Sequence, residues 1–176
     1  MPDFNTIGEV IEDLQNGRMV VLVDERETDI DGREAVGEGE LMMLADLASA
    51  DAINFMMRHA GNPPVVTASK SHFEALELHL MVPGTQGPRG ASIGVSVNAR
   101  QIAGSGVSAQ DRALTIRKLS DPYSTPEDFI QPGHITPLQA QPGGVLRRAG
   151  HTEASVDLAQ MADSSPVALI AAILDG

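Results

Sequence analysis

The sequence predicts a mixed α/β fold, and three observations predict it. Stretches with helical apolar spacing alternate with short apolar runs of strand length along the whole chain, with neither an internal repeat nor a linker. The 176 residues suit a single domain, 1–176, large enough to bury a core without covalent staples. Aromatic residues are only 3% of the chain and Trp is missing, so Leu, Ile, Val, Met and Ala must fill that core.

The elements follow in order. Residues Thr6 to Gly17 predict a helix: Ile7, Val10, Ile11 and Leu14 share a face, Thr6 and Glu9 form a capping box, and Gly17 closes the end. Met19 to Val23 reads as a buried strand, Asp24 to Glu40 as an acidic loop, and Leu41 to Leu44 as another strand. Ser49 opens a helix that carries Ile53, Met56 and Met57 and ends near His59 to Gly61. After the Asn62-Pro63-Pro64 turn, Val65 and Val66 suggest a strand and Ser71 to Leu78 a helix. Pro83 to Gly90 is a Gly/Pro loop, and Ile93 to Val97 alternates like a strand. Ser108 to Leu119 predicts a helix with Ser108-x-x-Asp111 resembling a capping box and Arg117-Lys118 in its last turn. Thr125-Pro126-Glu127-Asp128 starts a short helix by the cap-then-Pro rule, and Ile135 to Ala140 reads as a strand. The run Ala154 to Met161 is helical, and Val167 to Leu174 is a final apolar strand.

Charge and composition exclude some functions. The net charge of −12, from 24 acidic and 12 basic residues, argues against nucleic acid, which demands a basic face. An anionic substrate must then be held by locally placed Arg and helix N-termini. Without cysteine there is neither a disulfide framework nor thiolate chemistry. The start MPDFNTIGEVIEDL lacks the basic and apolar regions of a signal peptide, and no apolar run reaches membrane-spanning length, so a cytoplasmic protein with no membrane partner is expected.

The stretch with most chemistry is Pro142 to Glu153, PGGVLRRAGHTE, which runs into the predicted helix. A Gly-rich basic turn entering a helix N-terminus is a ready anion site, because free N–H groups and the helix dipole both favour a phosphate. Arg147 and Arg148 are placed to add charge-assisted bonds, and His151 to bind a metal or move a proton near neutral pH. The same residue types also suit an ordinary loop with Thr152 as N-cap and a surface His.

PGGVLRRAGHTEASVDLA, with NGRMVVLVD, DAINFMMRH, Leu78 to Val82, GVSAQDRALTIRKLSDP and QPGHITPL in matching order, resembles 3,4-dihydroxy-2-butanone 4-phosphate synthase, a riboflavin-pathway lyase. The resemblance implies an α+β layered sandwich and a homodimer with sites near its interface. It implies conversion of ribulose 5-phosphate to dihydroxybutanone phosphate and formate on Mg²⁺ or Mn²⁺. Carried over, it assigns the phosphorylated sugar to Arg148, Gly150, His151 and Thr152, with Ser105, Asp111 and Arg112 in support, and makes His151 a metal ligand. For Asp111 and Arg112 a cap and a surface pair is an equal alternative. His134, within Pro132-Gly133-His134, and Glu38 and Glu40 stand at catalytic positions.

The departures fall where the chemistry should be. Counting back from Leu41, Val36 stands where the family has a metal-binding Glu, and Ala35 where it has Arg. Glu27 or Glu34 of the lengthened loop are the candidates to refill that place. Val65 falls on a family Cys, Gly61-Asn62 on Arg-Gly, and Ala172 on a Glu of the last strand. Three functions follow: the family lyase, a divergent enzyme that keeps sugar-phosphate binding but runs another reaction, or a non-catalytic ligand-binding homologue. The resemblance as a whole implies the first, and Val36 with Ala172 lean toward the second.

Overall fold

The structure, a computed structural model, describes residues 4–24, 38–82 and 92–174. Helix α1 (Ile7–Gln15) starts at Thr6, whose Oγ1 accepts from Glu9 N at 3.3 Å while Glu9 Oε2 accepts from Thr6 N at 2.8 Å. Strands β1 (Val20–Asp24) and β2 (Glu38–Leu44) pair antiparallel from Val20↔Met42 to Asp24↔Glu38. Next come α2 (Ala50–His59), capped by Ser49, β3 (Val65–Ala68) and α3 (Lys70–Ala75), capped by Ser69. Beyond them lie β4 (Ser92–Ile93), β5 (Val97–Ala99), α4 (Ala109–Ser120), β6 (Phe129–Ile135) and β7 (Pro137–Gln139). Helix α5 (His151–Met161) and strand β8 (Val167–Ala172) complete the order.

Most predicted elements form within two residues of their expected ends, and the exceptions have physical causes. Glu38 to Glu40, expected in the loop, are strand, because β1 offers them backbone partners out to Asp24. The expected strand Ile93 to Val97 is split: Ile93 pairs with β7 and Val97 with β6, so the chain changes sheets between them. Strand β6, around a Pro132-Gly133 that ordinarily reads as a turn, is absent from the sequence-based expectation. It exists because Gly133 lies against the partner strand: a Cβ there would sit 2.1 Å from the Val97 carbonyl carbon and 2.2 Å from Asn98 N. Asp111, expected to close a capping box, instead accepts from Gly106 N at 3.2 Å, while Ser108 alone caps α4. The Pro83 to Gly90 loop lies outside the described residues.

The main sheet has six strands in the order β1-β2-β8-β3-β7-β4, and β5-β6 form a separate pair. Strand β8, Val-Ala-Leu-Ile-Ala-Ala, lies between β2 and β3 and is covered on both faces, as its unbroken apolar run requires. Met42, Leu44, Ala168 and Ile170 pack on one side against Leu14 of α1 and Leu158, Ala159 and Ala162 by α5. Leu41, Met43, Val66, Leu169 and Ala171 pack on the other against Ile53 and Met56 of α2, Phe73 of α3 and Ala113, Ile116 and Leu119 of α4. Val97, Phe129 and Ile135 bring the small sheet into that second core. The layered α+β sandwich implied by the resemblance is present. One polar contact crosses the first core, Thr67 Oγ1 to Ser155 Oγ at 2.8 Å, which fixes α5 over β3. At the sheet's edge, Val21 and Val23 of β1 remain 53% and 49% exposed.

Glycine substitutions separate crowded from open positions. Gly133→Ala forces the β5 and β6 backbones apart and is expected to cost about 3 kcal/mol or more. Gly8→Ala, in α1 where a Cβ would come no nearer than 4.0 Å to Thr6 Oγ1, is expected to stabilise by about 0.5 kcal/mol. Urea midpoints of both variants check this; equal midpoints would contradict the close approach at Gly133.

Candidate functional site

In β2 the side chains of Glu38, Glu40, Met42 and Leu44 share a face by strand alternation, and the last two lie in the core beneath α5. Glu40 therefore points to the α5 side of the sheet, where the apolar core ends. It is registered between Leu22 of β1 and Ala172 of β8. Helix α5 begins with His151 over this end of the sheet, and His151 Nδ1 stands 3.7 Å from Glu40 Oε1, with side chains 13% and 18% exposed. Burial, and secondarily the charge of Glu38, raise the Glu40 carboxyl to about 7. Glu40 Oε2 is buried and has no hydrogen-bond partner among the described residues. A cavity of about 260 Å³ opens beside the pair, between Leu22 and Asp24 of β1, Val145 and Ala149 of the preceding turn, and His151.

These properties fit a hard divalent cation. A buried carboxylate beside a second carboxylate, with an oxygen lacking a donor, is relieved by positive charge. Mg²⁺ binds through one or two carboxylates and completes its shell with water and substrate oxygens. Glu40 and His151 would hold it, although no group of three or more His, Cys, Asp or Glu gathers among the described residues. Glu27, Glu34, Ala35 and Val36 lie outside the described residues. Ala172 stands opposite Glu40, and Asn62 Nδ2 donates to its carbonyl at 2.7 Å. Val65, opposite Ile170, packs against the core beneath α5.

The turn before α5 is built from glycines and two carboxylates. Gly143 and Gly144 adopt φ of +97° and +59°, and a Cβ on Gly144 would meet the Asp157 carboxylate at 2.3 Å. That carboxylate accepts from Val145 N at 2.9 Å. Glu153, fully buried, accepts from Gln141 N at 2.9 Å and from Arg148 Nη1 at 2.8 Å. Gly150 passes so near that a Cβ would lie 2.9 Å from Glu153 Oε2 and 3.3 Å from Arg148 Cζ. Gly150 is the N-cap, and no side chain caps the helix there. Thr152, the alternative cap in the sequence, instead lies buried within the first turn, where its carbonyl accepts from Ser155 Oγ at 3.0 Å. The turn thus brings Arg148, Gly150, His151 and Thr152 together at the start of α5, while Arg147 is exposed. Glu153, which spacing alone did not single out, holds Arg148.

Asp111 and Arg112 of α4, His134 of β6 and Ser105 of the loop before α4 form a second group. Arg112, whose guanidinium burial lowers its pKa, donates from Nε to Val107 O at 2.9 Å and from Nη1 to His134 O at 2.8 Å. Asp111 accepts from Gly106 N, and Gly104 lies so near that a Cβ would be 2.5 Å from Asp111 Oδ2. Both residues thus serve the scaffold around His134 and Ser105. Asn98 links these last two, contacting His134 Nδ1 at 3.1 Å and Ser105 O at 3.3 Å. It lies in a short strand with no sequence signal to mark it.

The family model of 3,4-dihydroxy-2-butanone 4-phosphate synthase matches residues 8–176. The chain belongs to that family. It is 43% identical over 173 residues to the riboflavin biosynthesis protein RibBA of Aquifex aeolicus, covering 97% of this chain and 41% of the relative. It is 40% identical over 172 residues to the 3,4-dihydroxy-2-butanone 4-phosphate synthase of Pseudomonas syringae pv. tomato, covering 98% and 45%. The chain thus spans less than half the length of these curated relatives. A crystal structure of a 3,4-dihydroxy-2-butanone 4-phosphate synthase in complex with two magnesium ions superposes with a TM-score of 0.89 at 37% identity, covering 98% of this chain and 77% of that one. The Candida albicans synthase gives 0.85 at 34% identity, covering 98% and 81%. Among the described residues of this family member, no helix is long and apolar enough to cross a membrane.

A pH dependence of stability follows from Glu40. Its folded pKa of about 7 exceeds the ordinary 4.5, so between those values the folded chain holds a proton that the unfolded chain has lost. In divalent-free buffer the Glu40 contribution must fall as pH rises from 4.5 to about 7 and level off above. Relative to the parent, Glu40→Gln should gain stability at about pH 8 and little at about pH 5, by urea denaturation. A constant difference would show that Glu40 is not held in a charge-averse site.

Proposed function

We propose that the chain performs the lyase reaction of its family, converting ribulose 5-phosphate to 3,4-dihydroxy-2-butanone 4-phosphate and formate. The observation that carries this reading is the meeting of Glu40 and His151 beside a cavity at the start of α5. The Arg148 to Thr152 turn receives the phosphate, where the helix dipole and uncapped first turn favour an anion. A divalent ion bound by Glu40 and His151 would polarise neighbouring sugar oxygens, and the magnesium-bearing relative supports that assignment. Glu27 and Glu34 remain candidates for completing its shell. A divalent ion held there would draw the proton off Glu40, which burial and secondarily Glu38 otherwise keep up near neutrality, and Glu38 on the same face of β2 is left to exchange protons with the substrate. His134 acts from the small sheet and Ser105 from the loop before α4. A homodimer with sites near its interface is part of this reading, supported by the exposed Val107 and Ile130 flanking the His134 group. A cytoplasmic setting is part of this reading and fits a chain without cysteine.

Formate release from ribulose 5-phosphate and Mg²⁺ tests the reaction. Glu40→Gln and His151→Ala are each expected to lower kcat by roughly 10²–10⁴. Arg148→Ala is expected to weaken ribulose 5-phosphate binding by about tenfold or more in calorimetry, as loss of a charge-assisted contact implies. Mg²⁺ alone should bind weakly and ribulose 5-phosphate should tighten it, since the substrate supplies oxygen ligands. Sugar-phosphate binding without formate would instead mean the pocket serves another reaction. A monomer mass by light scattering at micromolar concentration would remove the dimer.

A further inference from the structure

We infer that Asn98 is a positioning residue that holds His134 as the neutral Nε2–H tautomer, so that His134 meets the substrate as a hydrogen-bond donor and not as a base. The inference rests on the reading of His134 as a site residue, but its geometric part stands apart from the reaction.

Two main-chain groups orient the Asn98 amide. The His134 main-chain N–H can only donate, so the Asn98 atom 2.9 Å from it must be the carbonyl oxygen Oδ1. The Ser105 carbonyl can only accept, so the atom 3.3 Å from it must be the amide nitrogen Nδ2. An exchange of O and N would set two donors and two acceptors face to face. With the amide oriented, Nδ2 lies 3.1 Å from His134 Nδ1, nearer than Oδ1 at 3.3 Å, and while Oδ1 already accepts from the main chain, the second Nδ2 hydrogen of this buried amide still needs an acceptor. One Nδ2 hydrogen therefore reaches Ser105 O and the other His134 Nδ1. A nitrogen that accepts a hydrogen bond carries no proton in neutral imidazole, so the proton is on Nε2.

The surroundings leave the amide little freedom. Asn98 is 8% exposed, and a Cβ on Gly106, whose φ is +93°, would fall 2.4 Å from Asn98 Nδ2. The ladder between β5 and β6 shifts register between Val97 and Asn98, which turns Asn98 toward His134. Arg112 grips the His134 carbonyl from behind at 2.8 Å. His134 is exposed, so its second nitrogen is presented outward. Neutral imidazole in this tautomer has no lone pair at Nε2 to take a proton, but its Nε2–H can polarise a carbonyl or stabilise an enolate oxygen.

The tautomer is read directly by two-dimensional ¹H–¹⁵N NMR of the imidazole, at a pH where it is neutral, with His134→Gln to assign the resonance. The expected spectrum shows Nε2 at the protonated position and Nδ1 at the unprotonated one. The opposite pattern, or an average of both, overturns the inference, and the parent spectrum decides this without any variant. In Asn98→Asp the carboxylate can only accept, so the proton should move to Nδ1 and the pattern should reverse. That variant also frees Nε2 as a base: kcat for formate release is expected to fall on the order of 10², the loss of one aimed donor. A rise in kcat would overturn the donor role. If the parent releases no formate, the lyase reading fails, and the spectrum still judges the tautomer.

Discussion

The Glu40–His151 end of the candidate site depends on the buried carboxylate of Glu153. It lies in the first turn of α5 with no exposure and accepts from both the Gln141 main-chain N–H and the Arg148 guanidinium. A buried carboxylate lacking those donors would be several kcal/mol too costly, so the turn cannot relax away from the helix without leaving it stranded. The path from Gln141 to Gly150 is thereby closed into a loop over the helix start. That loop sets where α5 begins, and the start of α5 sets how near His151 comes to Glu40. The glycines follow from the same constraint, because any side chain at Gly150 would occupy the space of the Arg148–Glu153 contact.

The sheet supplies the other half of the placement. Strand β8 is apolar on both faces and locks β2 and β3 in antiparallel register, so the last turn of apolar packing ends at Met42 and Ile170. Glu40 lies one step beyond, beside His151, which lines the cavity. Its raised pKa is the result of that location: near enough to the core to lose water, too far along the strand to gain a donor. The second group, around His134, belongs to another layer and is organised by main-chain contacts of β5 and β6 rather than by the large sheet. Within one chain, the two groups are thus built on independent supports.

Most of this was legible in the residues. Helix starts at Thr6, Ser49 and Ser108 follow from side chains whose hydroxyls meet the first-turn amides, and the buried run Val167 to Ala172 from its lack of polar alternation. The PGGVLRRAGHTE stretch announced an anion-receptive helix start, and the structure gathers its residues there. What escaped reading depends on distant backbone. Strand β6 looks like a turn until the β5 backbone fits against Gly133, and the strand character of Glu38 appears only when β1 supplies partners. Asn98 and Glu153 escaped for a related reason, since each acts through groups that only folding brings near. The carboxylate that spacing placed at Asp111 for capping is used on a loop amide instead, a choice local pattern cannot express.

The edge strand β1 carries a consequence for handling the protein. It is the outermost strand of its sheet, and Val21 and Val23 leave an apolar row on a face that no helix covers among the described residues. Such an edge is a template for pairing with another chain. The opposing force is electrostatic: the chain has a net charge of −12 near neutrality, and copies of it repel one another. That repulsion is spent as the solution approaches the isoelectric point of about 4.6, where the same valines would drive association. Colloidal behaviour is therefore tied to the acid balance of the whole surface, and high salt, by screening it, would act in the same direction as acid.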